Sequence, residues 1–184
     1  MPFLPELTDL PPAEFERQVK MLLESWGQHL TEFSTSHREL LGQHRTYEID
    51  IVVRFEALGA SFLVLVECKH HRSPIKRDTV QVLHDRIRET GAHKGLLFST
   101  SSFQSGAIEY AQRHGVALIQ IAEGKTSYFT RSFDGPQEPP AWANVPPFVG
   151  WLMSFEKDGG QSMSLVSVEH PAELREFIFG GNQN

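Results

Sequence analysis

A chain of 184 residues, 40% of them apolar and 22% charged, can bury one sizeable core with room for a small appendage. Its longest strictly apolar run, Phe62 to Val66, is far too short for a membrane span, and the amino terminus lacks the basic-then-apolar order of a signal peptide. The single Cys68 excludes an intramolecular disulfide and a cysteine metal cluster, so a cytoplasmic protein with no membrane partner is expected. The net charge of −6 argues against a general polyanion binder, but the charge is unevenly placed. Lys69 to Lys94 holds seven basic and three acidic residues and nets +4, which leaves −10 for the remainder. A basic stretch of this kind fits a phosphate-bearing partner. From charge alone, a solvated helix face explains it at least as well.

In chain order, Leu10-Pro11-Pro12 leads into a helix over Ala13 to Trp26. Phe15, Val19, Leu22, Leu23 and Trp26 form its apolar stripe, Glu16 borders that stripe, and Gly27 ends it. Leu30 to Ser36 carries a weak strand pattern, and His37 to Arg45 reads as a polar loop. Glu48 to Phe55 and Phe62 to Lys69 are the clear strands, and the short connection with Gly59 makes them an antiparallel hairpin. A loop with Pro74 leads to a helix over Asp78 to Thr90, with Asp78 as its N-cap and Gly91 as its stop. Lys94 to Ser99, a helix around Gln104 to His114, and Val116 to Ile121 follow as a strand–helix–strand unit with parallel strands. The proline-rich stretch from Asp134 to Pro147 reads as a linker or extended arm. Beyond it, Trp151 to Phe155 and Ser162 to Val168 flank a hairpin turn at Lys157-Asp158-Gly159-Gly160, and Pro171 to Phe179 forms a short terminal helix. The expected division is residues 1–130 as the main domain and 131–184 as linker plus extension.

The strand Phe62 to Lys69 is apolar until its last three residues, Glu67-Cys68-Lys69. Alternation places Glu67 and Lys69 on one face and Cys68 on the other. The hairpin brings Asp50, near the start of its partner, to the same rim as Glu67. Charges buried at such a rim need a partner, a metal or a substrate.

This order of elements resembles the PD-(D/E)xK nuclease superfamily and, within it, the Mrr-type restriction endonucleases. The resemblance runs from about Glu14 to Ala122. It is carried by Phe15-Glu16, Glu48-Ile49-Asp50, Glu67-Cys68-Lys69, Lys94-Gly95 before a strand, and Ser99-Thr100-Ser101-Ser102-Phe103 with Ala107 in the next helix. It implies a restriction-endonuclease-like α/β core: a central mixed β-sheet flanked by helices, here with a small C-terminal β-hairpin and helix added. It also implies a nuclease that hydrolyses DNA phosphodiesters with Mg2+, for which Mn2+ substitutes. Asp50 and Glu67 would bind the metal, with the Cys68 carbonyl as a further oxygen ligand. Lys69 would orient the attacking water or neutralise charge on the phosphate, and Glu16 would support the site from the first helix. DNA-contact candidates are His70, His71, Arg72, Lys76, Arg77, Gln81, Ser101 and Ser102.

Each residue also has a plainer reading. Glu67 and Lys69 can form a rim salt bridge, Glu16 a dipole-stabilised helix carboxylate, Gln81 a solvated face, and Ser101 and Ser102 simple caps. Cys68 reads as a small buried side chain rather than a nucleophile. The family further implies a role in defence or DNA repair, and a second copy or partner protein to cut both strands. The competing expectation is a non-catalytic DNA-binding or assembly module on the same fold, and a third is an interaction protein whose acid–base cluster is only structural.

Overall fold

The computed structural model describes residues 10–27, 31–57, 59–123, 148–155, 160–166 and 172–179. Helix α1, Pro12–Gly27, starts where the Pro11 carbonyl accepts the Glu14 and Phe15 amides, and it buries Phe15, Val19 and Leu23 along one side. Three antiparallel strands follow: β1 (Thr31–Leu41), β2 (Thr46–Ala57) and β3 (Ala60–Lys69). Then come α2 (Arg77–Thr90), β4 (Lys94–Ser99), α3 (Ser105–Arg113) and β5 (Val116–Glu123), with β3, β4 and β5 mutually parallel. β6 (Phe148–Phe155) and β7 (Gln161–Val166) continue the sheet antiparallel, and α4 spans Ala172–Phe179. The result is one seven-stranded mixed sheet whose spatial order is the chain order.

Two apolar layers hold the sheet. On one face, α1 and Leu174 of α4 pack against Ile51, Val53, Val64, Val66, Phe98 and Ile119. On the other, Val80, Leu83 and Ile87 of α2 and Ala107, Ile108 and Ala111 of α3 pack against Val52, Leu65, Leu97 and Leu118. Central strands covered on both faces read as continuous apolar runs, as Phe62 to Val66 does.

Two local expectations are corrected. The stretch His37 to Arg45 is not all loop: β1 continues through Leu41, and the turn occupies the next four residues. An edge strand is held by main-chain bonding to its neighbour and needs no apolar alternation. Phe33 touches one core layer and Leu40 the other. Asp78 is not the N-cap of α2. That position is Lys76, with no side-chain capping bond, and Asp78 lies in the first turn, where its Oδ1 accepts the Thr79 amide at 2.8 Å. Gly91, at φ 69°, ends α2 in the left-handed conformation. The proline-rich segment 134–147 and residues 157–159 of the expected turn lie outside the described residues.

β2 carries a bulge that the alternation pattern does not reveal. From Ser36 to Arg38, β1 advances two residues while β2 passes three, Val52 to Ile49. The extra residue lies at Asp50 or Ile51. Ile49 and Val52 therefore face the same layer although they stand three apart. Bulges bend a strand and re-aim the side chains within them.

Two measurements follow from this packing. Leu174 is fully buried against the α1 layer. Leu174→Ala is expected to lower unfolding free energy by about 2–5 kcal/mol in a single urea transition, because the C-terminal helix shares the core. Between α2 and α3, His84 Nδ1 lies 3.0 Å from the Tyr110 hydroxyl and the His84 ring lies 4.5 Å from that of His114. Burial, and then the neighbouring His114, hold the His84 pKa below its ordinary value. The unfolded chain takes up this proton first, near pH ~6.5, so the stabilisation is complete above that pH and is lost as pH falls through it. The melting temperature should fall from pH 8 to pH 5, and fall less in His84→Gln.

Candidate active site at the β2–β3 rim

β3 is buried from Val64 to Cys68, and Glu67 is only 6% exposed. Each oxygen of its carboxylate meets a cation: Oε1 accepts Lys69 Nζ at 2.6 Å, and Oε2 accepts Arg86 Nη1 at 2.6 Å. Lys69 shares the Glu67 face because it stands two residues on in the same strand. Arg86 arrives from α2. It stands three residues after Leu83 and one before Ile87, at the border of the buried stripe of that helix. A buried carboxylate needs this kind of pairing, since an isolated one costs several kcal/mol.

The β2–β3 ladder ends at the pair Ile51 and Val66, so Asp50 and Glu67 occupy the next rung at one rim. Asp50 does not mirror Glu67 there. From the bulge, its Oδ2 accepts the Cys68 main-chain N–H at 2.7 Å. This tethers the start of β2 to the end of β3 through a charge-assisted bond.

The Cys68 side chain points into the α1 layer and is buried. Burial, and then the negative charges of Asp50, Glu16 and Glu67, push its thiol far above the usual range, with partial relief from Lys69. The sulfur stays protonated and is no nucleophile. The charges of Glu16 on α1, Asp50 on β2, and Glu67 and Lys69 on β3 are all felt at this one buried atom. Among the described residues, no three His, Cys, Asp or Glu side chains form a group able to hold an ion as they stand.

The loop after β3 is stitched to the loop after β4. The Thr100 hydroxyl accepts the His71 amide at 3.1 Å and donates to the His71 carbonyl at 3.0 Å, and the Thr100 amide donates to the Lys69 carbonyl at 3.2 Å. Ser101 is buried and donates its hydroxyl to the Ser73 carbonyl at 2.8 Å. The Ile75 amide donates to the Ser102 carbonyl, and the Gln104 amide to the Ile75 carbonyl. Gln104 is the N-cap of α3, so neither Ser101 nor the exposed Ser102 caps that helix. His70 packs edge-on against Phe15 at 6.0 Å, and His71, Arg72 and Lys76 are exposed. Arg77 lies over the Tyr110 ring at 5.0 Å. Gln81, one turn from both Arg77 and His84, shares their flank toward α3, while Arg86 lies on the opposite flank.

Arg86 is the residue that sequence reading misses, beyond counting it in the basic stretch. Its position beside the apolar stripe of the helix after Glu67-Cys68-Lys69 is the one signal that could have singled it out.

Residues 7–123, more than half of the chain, match the restriction endonuclease family model Mrr_cat. That stretch contains Glu16, Asp50, Glu67, Lys69 and Arg86. A crystal structure of a protein of unknown function, AF1548, is similar over 56% of this chain and 54% of that one, with 24% identity and a TM-score of 0.46. This chain thus matches about half the length of that protein. No curated protein matches it. The family match spans α1 to β5, the elements that build the β2–β3 rim, and by that match the chain belongs to the Mrr_cat restriction endonuclease family.

Proposed function

We propose that the protein is a divalent-metal-dependent deoxyribonuclease that hydrolyses phosphodiesters where β2 and β3 part. The observation that carries this reading is the rim pair itself: Asp50, bonded to the Cys68 amide, stands on the rung of Glu67, and Lys69 is bonded to Glu67. The donor set fits a hard cation such as Mg2+, with Mn2+ as a substitute: two carboxylates, Asp50 and Glu67, and the Cys68 carbonyl, all oxygen. Such an ion, when bound, polarises the phosphate and helps ionise a water. The chain does the rest. The Cys68 amide fixes Asp50 Oδ2 and leaves Oδ1 to face a ligand. Glu16 supports the cluster from α1. Lys69 holds a positive charge beside Glu67, where it can orient the water or meet charge developing on the phosphate.

DNA would lie along the stitched loop. Arg72, Lys76 and Arg77 are exposed there, and His70, His71, Gln81, Ser101 and Ser102 complete the candidate contacts or their support. The bonds between the two loops fix that backbone in advance, which lowers the ordering cost of binding. DNA as substrate, a place in defence or repair, a second copy or partner protein for double-strand cutting, and a cytoplasmic location all come to this reading from the family. No helix among the described residues is long and apolar enough to cross a membrane.

A second reading is favoured by one observation. Both oxygens of Glu67 are already paired, as in a purely structural ion cluster. That fits a DNA-binding or assembly module that keeps the fold without turnover.

Cleavage of plasmid DNA in Mg2+ or Mn2+ separates the two. Asp50→Asn and Lys69→Met should each slow cleavage by about 10²–10³-fold or more, the range for loss of one positioned charged group at the reacting centre. Both should still bind DNA at low salt. Full cleavage by both variants would remove the site assignment, and binding without cleavage in any metal would establish the module. In the same titrations, the double variant Arg72→Ala, Lys76→Ala should weaken binding to all sequences and reduce the salt slope by about one unit for each phosphate no longer neutralised.

A further inference from the structure

We infer that Arg86 is a latch on the metal seat, holding in the ion-free protein the Glu67 oxygen that a divalent cation would take. This rests on the metal-dependent reading above and adds to it what sets the loading threshold.

Glu67 needs a positive partner at each oxygen because it is buried. Lys69 supplies one from within the same strand. Arg86 supplies the other from a different element, 19 residues on, through a 2.6 Å bond to Oε2. The body of α2 cannot follow Glu67, because Val80, Leu83 and Ile87 lock it to the sheet. The Arg86 head group therefore stays on Glu67 or swings to solvent on its long stem, and its side chain is 24% exposed. A guanidinium keeps its charge at every working pH, so the latch does not open by loss of a proton from Arg86. A competitor for Oε2 opens it, and a divalent cation is such a competitor.

The charge balance gives the direction of the effect. At the rim, Asp50 and Glu67 carry two negative charges, and Lys69 and Arg86 carry two positive ones. A dication entering between these groups meets a net charge of zero with Arg86 present and −1 without it. Removing Arg86 should strengthen metal binding while weakening the ion-free fold. A residue that merely positions Glu67 as a ligand would do the reverse to metal affinity.

The test uses the full chain without DNA. Mn2+ affinity is measured by isothermal titration calorimetry, and melting is followed by tryptophan fluorescence in EDTA and in Mn2+. Arg86→Met is expected to melt lower in EDTA, bind Mn2+ about tenfold tighter, and gain more melting temperature from Mn2+ than the wild type. Arg86→Lys retains the charge and should stay near the wild-type affinity. Should Arg86→Met fail to fold, Arg86→Gln gives the same reading, since it can still hydrogen-bond Glu67 without the charge. Unchanged or weaker Mn2+ binding in the charge-removing variant overturns the latch. Asp50→Asn separates that failure from a deeper one: if the wild type shows no Mn2+ binding that Asp50→Asn removes, the metal site itself is wrong and the latch goes with it.

Discussion

A carboxylate at the end of a buried strand cannot stand alone, and Glu67 is in that position. Much of the surrounding architecture meets that constraint. β3 continues two residues past Glu67 to place Lys69 on the same face. α2 packs close enough to the sheet for Arg86 to reach Oε2. Across the rim, Asp50 is spared from competing for the same cations because it is satisfied by a main-chain amide instead. Two acids on neighbouring strands thus carry different partners, one cationic and one neutral. That asymmetry gives them different freedom toward a ligand. A ligand approaching Glu67 would meet a cation at each oxygen, while one approaching Asp50 would meet a carboxylate held on one side by a neutral amide.

Cys68 shows the convergence in another way. Its thiol is inert because burial and three nearby carboxylates all oppose ionisation. A small, neutral, packed side chain between charged neighbours keeps water from one side of β3, while Glu67 and Lys69 point to the other. The loops after β3 and β4 add a second fixed feature. Thr100 and Ser101 bind main-chain groups of the loop after β3, so the basic residues beyond Lys69 sit on backbone that is tied on both sides of Ser73.

Much of this was legible in the sequence where the signal is local. The apolar run ending in Glu67-Cys68-Lys69, the hairpin through Gly59 and the strand–helix–strand unit from Lys94 follow from period and turn residues. Features that depend on a neighbour's backbone were not legible. β1 extends to Leu41 because β2 supplies its hydrogen bonds, and no residue pattern in His37 to Leu41 announces that. The bulge at Asp50 or Ile51 shows only as a register shift against β1. Strict alternation would have set Asp50 on the pleat rather than turned to the Cys68 amide. Arg86 was hidden for a related reason: its helix, read alone, shows a cation beside an apolar stripe, and only the docking of α2 under β3 gives that cation a target.

The identity of chain order and strand order in the sheet has a consequence for biosynthesis. Each strand pairs with the one made just before it, so a nascent chain can assemble the sheet stepwise as it leaves the ribosome. β5 is the exception in timing. It carries the buried Leu118, Ile119 and Ile121, and among the described residues its outer edge pairs with β6, which begins at Phe148, some 25 residues after β5 ends. Until β6 is made, that edge of β5 lacks its strand partner, and unpartnered edges are where strands of separate chains associate most readily. The C-terminal hairpin and α4 therefore act as the finishing cap of translation: a chain released before Phe148 would carry every residue of the candidate site and still be prone to aggregate.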